Sequence, residues 1–226
     1  MRPDEDIALD DATYYGSAAP LVPPSPDLEV VRQAAMGCRA CHLWRLGTQT
    51  VFGEGSPNAR IMFVGEQPGD KEDLAGRPFV GPSGELLAAA MEEAGIARDD
   101  VYITNAVKHF KWIPQAGRRL HQKPNAREIR ACLPWLEAEL ARIKPKAVLL
   151  GATAAQSILG SDFKLTKNRG RFVESDLAPY VLATLHPSAI LRMPDQELRE
   201  ASRESLVEDL RLLAANVDRR PRGYVA

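Results

Sequence analysis

Between Arg60 and Thr184 the chain switches repeatedly between short apolar runs and segments whose apolar residues recur every three or four positions. Residues 61–64, 101–105 and 147–150 have the length and content of buried strands. Gly65, Pro68 and Gly69 force a loop after the first. Helical spacing runs from Ser83 or Gly84 to Ala94 and stops at Gly95. A longer helix covers 126–143, with Asn125 as its cap and Ile129, Cys132, Leu133, Leu136 and Leu140 along one stripe. A short helix over 153–159, a strand pair near 171–174 and 180–184, and a terminal helix from about 195 to 215 complete the pattern. Asp27 caps an earlier helix running toward Met36. Parallel strands need a crossover between them, and here each crossover has helical spacing. The fold class is therefore α/β, with a largely parallel sheet and helices on both faces.

With 226 residues the chain suits one large domain. Residues 1–27 combine Pro and acidic residues without apolar periodicity and are expected to be a disordered or loosely docked leader, with Tyr14 and Tyr15 able to touch the body. The single domain spans 28–217, and 218–226 is a flexible tail. The longest stretch free of Asp, Glu, Lys and Arg is 15 residues, too short to span a bilayer. Three cysteines are too few for a disulfide framework and suit a reducing, cytoplasmic compartment. A net charge of −1 gives no global field that attracts nucleic acid, so any such binding needs a local patch.

In sheets of this kind chemistry sits in loops beyond the carboxyl ends of the strands. Three loops stand there, over residues 65–81, 105–124 and 186–192. The first combines glycines, carboxylates, the Gln67 amide and Phe79. Glycines admit tight turns and close backbone approach to a ligand, and Phe79 is a stacking platform. A surface turn leading to a phosphate-binding helix start at Ser83 and Gly84 fits that loop equally well on its own.

Four segments taken together narrow the choice. They are Gly65-Glu-Gln-Pro-Gly-Asp70, Gly76-Arg-Pro-Phe79-Val-Gly-Pro-Ser-Gly84, Thr104-Asn105-Ala-Val-Lys-His109 and Leu185-His186-Pro-Ser188-Ala-Ile-Leu-Arg192. In content and order they resemble the uracil-DNA glycosylase superfamily, within it the iron–sulfur family 4 type, and more narrowly the UdgX branch. The resemblance covers about residues 35–215. It implies a three-layer α/β/α fold around a mainly parallel four-stranded sheet, and a monomer acting on uracil-containing DNA, single-stranded by preference. It also implies roles. Phe79 stacks on the uracil face, while the Asn105 amide matches uracil N3–H and O4. A neutral His186 donates to O2 as charge develops on the leaving base. Gln67 adds an amide contact, and Glu66 and Asp70 are carboxylates for the cationic sugar or for holding a partner.

The segment from Lys108 to Pro124 is the second discriminator. Most family 4 enzymes have Cys where His109 stands, whereas the UdgX branch has His and an inserted loop ending in Arg-Arg-Ile-His. This chain reads Arg118-Arg119-Leu120-His121. It departs at Gly117, where that branch usually carries Lys. By the resemblance, His121 attacks C1′ of the sugar in place of water and leaves protein and abasic site covalently joined, with Glu66 orienting its ring. The plain alternative is a solvated loop histidine that contacts phosphate.

Cys38 and Cys41 have C-x-x-C spacing, and Cys132 lies on the long helix. By the resemblance, His109 fills the fourth position of a [4Fe–4S] cluster with Cys38, Cys41 and Cys132. Zinc takes the same ligand set, and a redox pair is a third use of C-x-x-C. Basic charge is local: residues 108–130 hold seven Lys or Arg against one acid. Arg118, Arg119, Lys123, Ser188 and Arg192 are expected to contact DNA, with Lys164, Lys167, Arg169 and Arg171 as a further cluster and Arg219 to Arg222 as a basic tail. Two other functions stay open at this point, a turnover glycosylase and a non-catalytic single-strand binder.

Overall fold

The computed structural model describes residues 16–160 and 162–217. The expected contacts of Tyr14 and Tyr15, and the basic tail from Arg219, lie outside them.

Helix α1 (Leu28–Met36) starts where the Asp27 carboxylate accepts the Glu29 N–H at 2.8 Å. A central sheet follows, built from β1 (Glu54–Gly55), β2 (Ile61–Gly65), β3 (Val101–Asn105), β6 (Ala147–Gly151), β7 (Phe172–Val173) and β8 (Tyr180–Thr184), in the order β1-β3-β2-β6-β8-β7. The four inner strands are parallel. The two-residue edge strands β1 and β7 are antiparallel to their neighbours and extend the expected four strands to six. Between strands run α2 (Asp70–Ala75), α3 (Pro82–Glu93), α4 (Ala126–Ile143), α5 (Ala152–Leu159) and α6 (Leu165–Asn168), and α7 (Pro187–Leu191) and α8 (Gln196–Val217) close the chain. A separate hairpin pairs β4 (Trp112–Gln115) with β5 (Arg118–His121).

The period of two along each strand sorts the core into two layers. Ile61, Phe63, Ile103, Leu149 and Leu182 face a cluster completed by Leu87 and Met91 of α3 and by Leu206, Leu210 and Leu213 of α8. Met62, Val64, Tyr102, Val148 and Leu150 face the opposite cluster with Leu136 and Ile143 of α4 and Ala154 and Ala155 of α5. A third cluster joins α1 and α4 around Cys38, Cys41 and Cys132. Residues 16–27 pack on α4: Ala18 is fully buried and its N–H donates to Ala131 O at 2.7 Å.

Register aligns Gly65 with Asn105 and Gly151 with Thr184, so the inner strands end along one edge. From β2 the chain moves to β3 on one side, then crosses to β6 on the other. A crevice opens at such a switch point, beyond the carboxyl ends.

Candidate active site

A cavity of about 260 Å³ lies at that edge. Glu66, Gln67, Phe79, Asn105, His121, His186, Ser188 and Arg192 all line it, although they come from five separate stretches of sequence. Ala152 and Thr153 add the start of α5 from across the switch point. The volume suits one small planar ligand, below the ~300–1,000 Å³ typical of larger small-molecule pockets.

Local backbone explains how the walls meet. Asn105 ends β3, is 2% exposed, and stands opposite Gly65. A Cβ at Gly65 would fall 2.3 Å from Asn105 Oδ1 and 3.0 Å from Phe79 Cζ, so only glycine lets that amide and ring converge. Phe79 has φ 56°, a left-handed conformation that costs a non-glycine residue roughly 1–2 kcal/mol. Its ring centre is 5.7 Å from that of His186. Glu72 was not singled out in the sequence, yet it closes this loop: Oε2 accepts Gly69 N–H at 3.1 Å and Oε1 accepts Gly81 N–H at 2.8 Å. The signal available was its position three residues after the N-cap Gly69, the acid of a capping box.

His186 caps α7. Its Nδ1 accepts the Ser188 N–H at 3.2 Å and lies 2.8 Å from Ser188 Oγ. A backbone N–H only donates, so Nδ1 carries the lone pair and Nε2 the proton. Burial, then Arg192 and His121, lower its pKa to about 4, leaving a neutral ring. Glu66 is raised above 4.5 by burial, against the pull of Lys123 and Arg192. Its Oε1 is buried without a hydrogen-bond partner.

His121 ends the β4–β5 hairpin at the cavity rim, directly opposite Trp112. The residue keeps an exposed edge. The side of the ring turned to the protein is desolvated, and this and then Arg192 lower its pKa below 6.5, so this ring too is neutral near pH 7. Among the described residues no hydrogen bond joins it to Glu66, so the expectation that Glu66 orients the ring is not met; the ring centre lies 6.0 Å from that of Phe110. Ala116 and Gly117 form the two-residue turn at φ 48° and 75°. Both central residues of a type I′ turn need positive φ, which gives a physical reason for Gly117 in place of Lys.

Three expected residues have other duties. The Gln67 side chain clamps the loop, with Oε1 accepting Lys111 N–H at 3.0 Å and Nε2 donating to Gln122 O at 2.9 Å and Lys111 O at 3.3 Å. Its amide is thus already engaged, although the residue lines the cavity. Arg119, expected on DNA, stacks over Phe110 and Trp112, and donates to Asp70 Oδ1 at 2.5 Å and to fully buried Asp73 Oδ2 at 2.6 Å. Asp70, expected among the catalytic carboxylates, does not line the cavity and takes the role of holding that arginine. Arg118, Lys123 and Arg192 are exposed, and Arg192 reaches the cavity wall. In the further basic cluster, Arg169 turns to Asp209 at 3.6 Å, and none of Lys164, Lys167, Arg169 or Arg171 lines the cavity.

The three thiols are buried, unpaired and in one apolar cluster. Lys108 N–H points at Cys132 Sγ and Trp135 Nε1–H at Cys38 Sγ, both at 3.2 Å. Burial pushes the Cys41 thiol up to about 11 and Cys132 further. Among the described residues no three His, Cys, Asp or Glu side chains close around a single-ion position. Thiolates and an imidazole are the donor types that both zinc and iron–sulfur clusters take. His109 is 5% exposed, and burial lowers its pKa to about 4. Thr50 Oγ1 donates to Ala35 O, so its contact with His109 Nε2 at 3.1 Å is one in which the imidazole donates. Nδ1 then holds the lone pair, the arrangement a ligating histidine needs.

Comparison with known proteins agrees with this geometry. The family model of the uracil DNA glycosylase superfamily matches residues 52–211. The type-4 uracil-DNA glycosylase of Thermotoga maritima is 40% identical over 181 residues, covering 79% of this chain and 91% of the relative. That of Sulfurisphaera tokodaii is 40% identical over 179 residues, covering 74% and 77%. The type-5 uracil-DNA glycosylase of Thermus thermophilus is 31% identical over 224 residues, covering 82% and 98%. The chain belongs to the uracil DNA glycosylase superfamily, with a type-4-like sequence.

Proposed function

We propose that the protein excises uracil from DNA, preferentially single-stranded, and ends joined through His121 to C1′ of the abasic sugar. One observation carries this reading: a single cavity, sized for one base, gathers Phe79, Asn105, His186, Glu66 and His121. A base reaches such a cavity only when it is out of the stack. Phe79 stacks on it, and the Asn105 amide offers an acceptor and a donor to its Watson–Crick edge. The N1–C1′ electron pair leaves with uracil. His186, neutral and protonated at Nε2, donates a hydrogen bond to the anion without surrendering a full proton. Glu66 faces the cationic sugar with a carboxylate whose Oε1 has no hydrogen-bond partner in the protein.

The electrophilic C1′ is then captured. A neutral His121 has one nitrogen with a free pair, which forms the new C–N bond while the other ring nitrogen loses its proton to water. A tethered nucleophile acts at an effective concentration of roughly 10⁵ M or more when well oriented, which is how it outcompetes solvent. Cys38, Cys41 and Cys132, with His109 through Nδ1, would hold a [4Fe–4S] cluster. Its positive irons would keep otherwise protonated thiols ionised and tie α4 to the segment before β1. Visible absorbance with matching iron and sulfide content tests that assignment, and zinc alone would overturn it.

The exposure of His121 supports a second reading, in which water completes the reaction and the histidine only positions DNA. A denaturing gel of the protein with a uracil-containing oligonucleotide separates the two. Capture gives a shifted protein–DNA band that His121→Ser abolishes while uracil release continues. Free abasic product without a shifted band overturns capture, and no release of uracil in any condition overturns the glycosylase reading.

A further inference from the structure

Lys108 and Glu139 form an ion pair shut off from solvent, Nζ to Oε2 at 2.6 Å with both side chains 0% exposed. Every ammonium donor is used: besides Glu139, Nζ donates to Thr104 Oγ1 at 2.6 Å and to Asn105 O at 2.8 Å. Glu139 Oε1 also accepts from Gly53 N–H, Tyr102 Oη–H and the Thr104 hydroxyl, each at 3.0 Å. Removing two charges from water is expensive, and apolar side chains of similar size stabilise a core as well or better. Stability alone therefore does not account for the pair. Its position does. Asn105 O is the carbonyl of the residue whose amide faces the cavity, and Lys108 holds that carbonyl. The same peptide is gripped from its other side, where Ala106 N–H donates to Gly65 O at 2.9 Å. One residue on, Val107 N–H donates to Glu66 O at 2.9 Å, so the segment that Lys108 anchors also sets the backbone of Glu66.

We propose that Lys108, backed by Glu139, is a positioning residue that fixes the peptide plane beneath Asn105 and so aims its amide at the base. This rests on the glycosylase reading above. The three donors of the ammonium define one direction for the Asn105 carbonyl, and a polar chain of Thr104, Tyr102 and Glu139 resists its rotation. Without the charge pair the peptide 105–106 keeps only its bond to Gly65, and the amide gains freedom in the cavity.

The test is a mutant cycle in the full-length protein as purified. Lys108→Met combined with Glu139→Gln removes both charges while keeping acceptors for Gly53, Tyr102 and Thr104. Single-turnover uracil excision from a single-stranded oligonucleotide is expected to slow about tenfold or more, since small misplacement of an aiming group is costly. DNA affinity should change less than about twofold, because the pair touches no DNA. In an Asn105→Ala background the same double change should slow excision by less than about twofold, as no amide remains to be aimed. An unchanged rate, or an equal loss in the Asn105→Ala background, overturns the proposal. If the double variant does not fold, Thr104→Val withdraws one acceptor isosterically and is read by the same cycle. Absence of excision by the unsubstituted protein would instead reject the glycosylase reading, and this role with it.

Discussion

Glu66 faces the cavity with one oxygen buried and unpartnered, and burial holds its pKa above 4.5. A carboxylate raised in this way loses its charge as pH falls through a higher value than usual. The acid limb of the excision profile should therefore lie above the ordinary carboxylate range, and Glu66→Gln should flatten it while lowering the plateau. A limb at or below 4.5 in a pH–rate series would count against that role. His186 has the opposite sense. Its folded pKa is about 4 against 6.5 ordinarily, so between those values the unfolded chain binds a proton that the folded one does not. Its contribution is constant above about 6.5 and is lost as pH drops to about 4. Urea midpoints of wild type and His186→Asn across that window should converge toward pH 4. Arg119 marks where residue-level reading of the sequence failed. Arg118 and Arg119 look alike in a basic loop, but strand alternation turns one outward and the other onto Asp73. Without Arg119 the fully buried Asp73 keeps the Thr48 N–H at 2.8 Å but loses its counter-charge, so Arg119→Ala should lower stability by about 1–3 kcal/mol while Arg118→Ala barely changes it. Equal denaturation midpoints would contradict the assignment.

The β4–β5 hairpin is the element on which the chemistry turns. Two strands alone are marginal in water, so its position depends on ties to the body. Those ties are Gln67 on both ends of the loop, Arg119 on α2, and Trp112 Nε1–H on Leu46 O at 2.7 Å. Gln67→Ala should loosen the hairpin without emptying the cavity. The share of product captured as adduct, read on a denaturing gel, should fall on the order of tenfold while uracil release persists. An undiminished adduct share would show that the clamp is dispensable. The hairpin was not legible beforehand, because Trp-Ile-Pro-Gln and Arg-Arg-Leu-His lack an alternating apolar face and Pro114 argues against a strand. By contrast, 61–64, 101–105, 147–150 and 180–184 were legible as strands because buried strands read as short apolar runs, and the structure adds Gly65 and Gly151 at two of their ends. Helix α4 was legible from Asn125 at its cap and the stripe of Ile129, Cys132, Leu133, Leu136 and Leu140; the structure adds Glu128 as the reciprocal half of the cap. Helix α2 escaped notice since its six residues carry three acids and no apolar stripe.

At the scale of the whole molecule, a sheet switch point supplies the cavity and a net charge of −1 leaves only local attraction for DNA. Arg118, Lys123 and Arg192 are the exposed cations assigned to the DNA-contacting loops. If each neutralises one phosphate of a single strand, log affinity should fall with log salt at a slope near −2. A slope of about −3.5 or steeper, measured by anisotropy titration, would bring in the cluster at 164–171 as well. Among the described residues no helix is long and apolar enough to cross a membrane. The layered α/β/α plan and the gathering of Glu66, Phe79, Asn105 and His186 were readable because strand ends and loop motifs travel together in the sequence. The internal ties of Asp70, Gln67 and Lys108 were not, because they depend on which way a side chain turns once its strand or loop is placed. The most direct measurement is peptide mapping by mass spectrometry after reaction with a short uracil-containing oligonucleotide and nuclease trimming. The expected result is one modified peptide carrying an abasic deoxyribose on His121; an unmodified His121 peptide beside released uracil, or the sugar on another residue, would contradict capture by the hairpin.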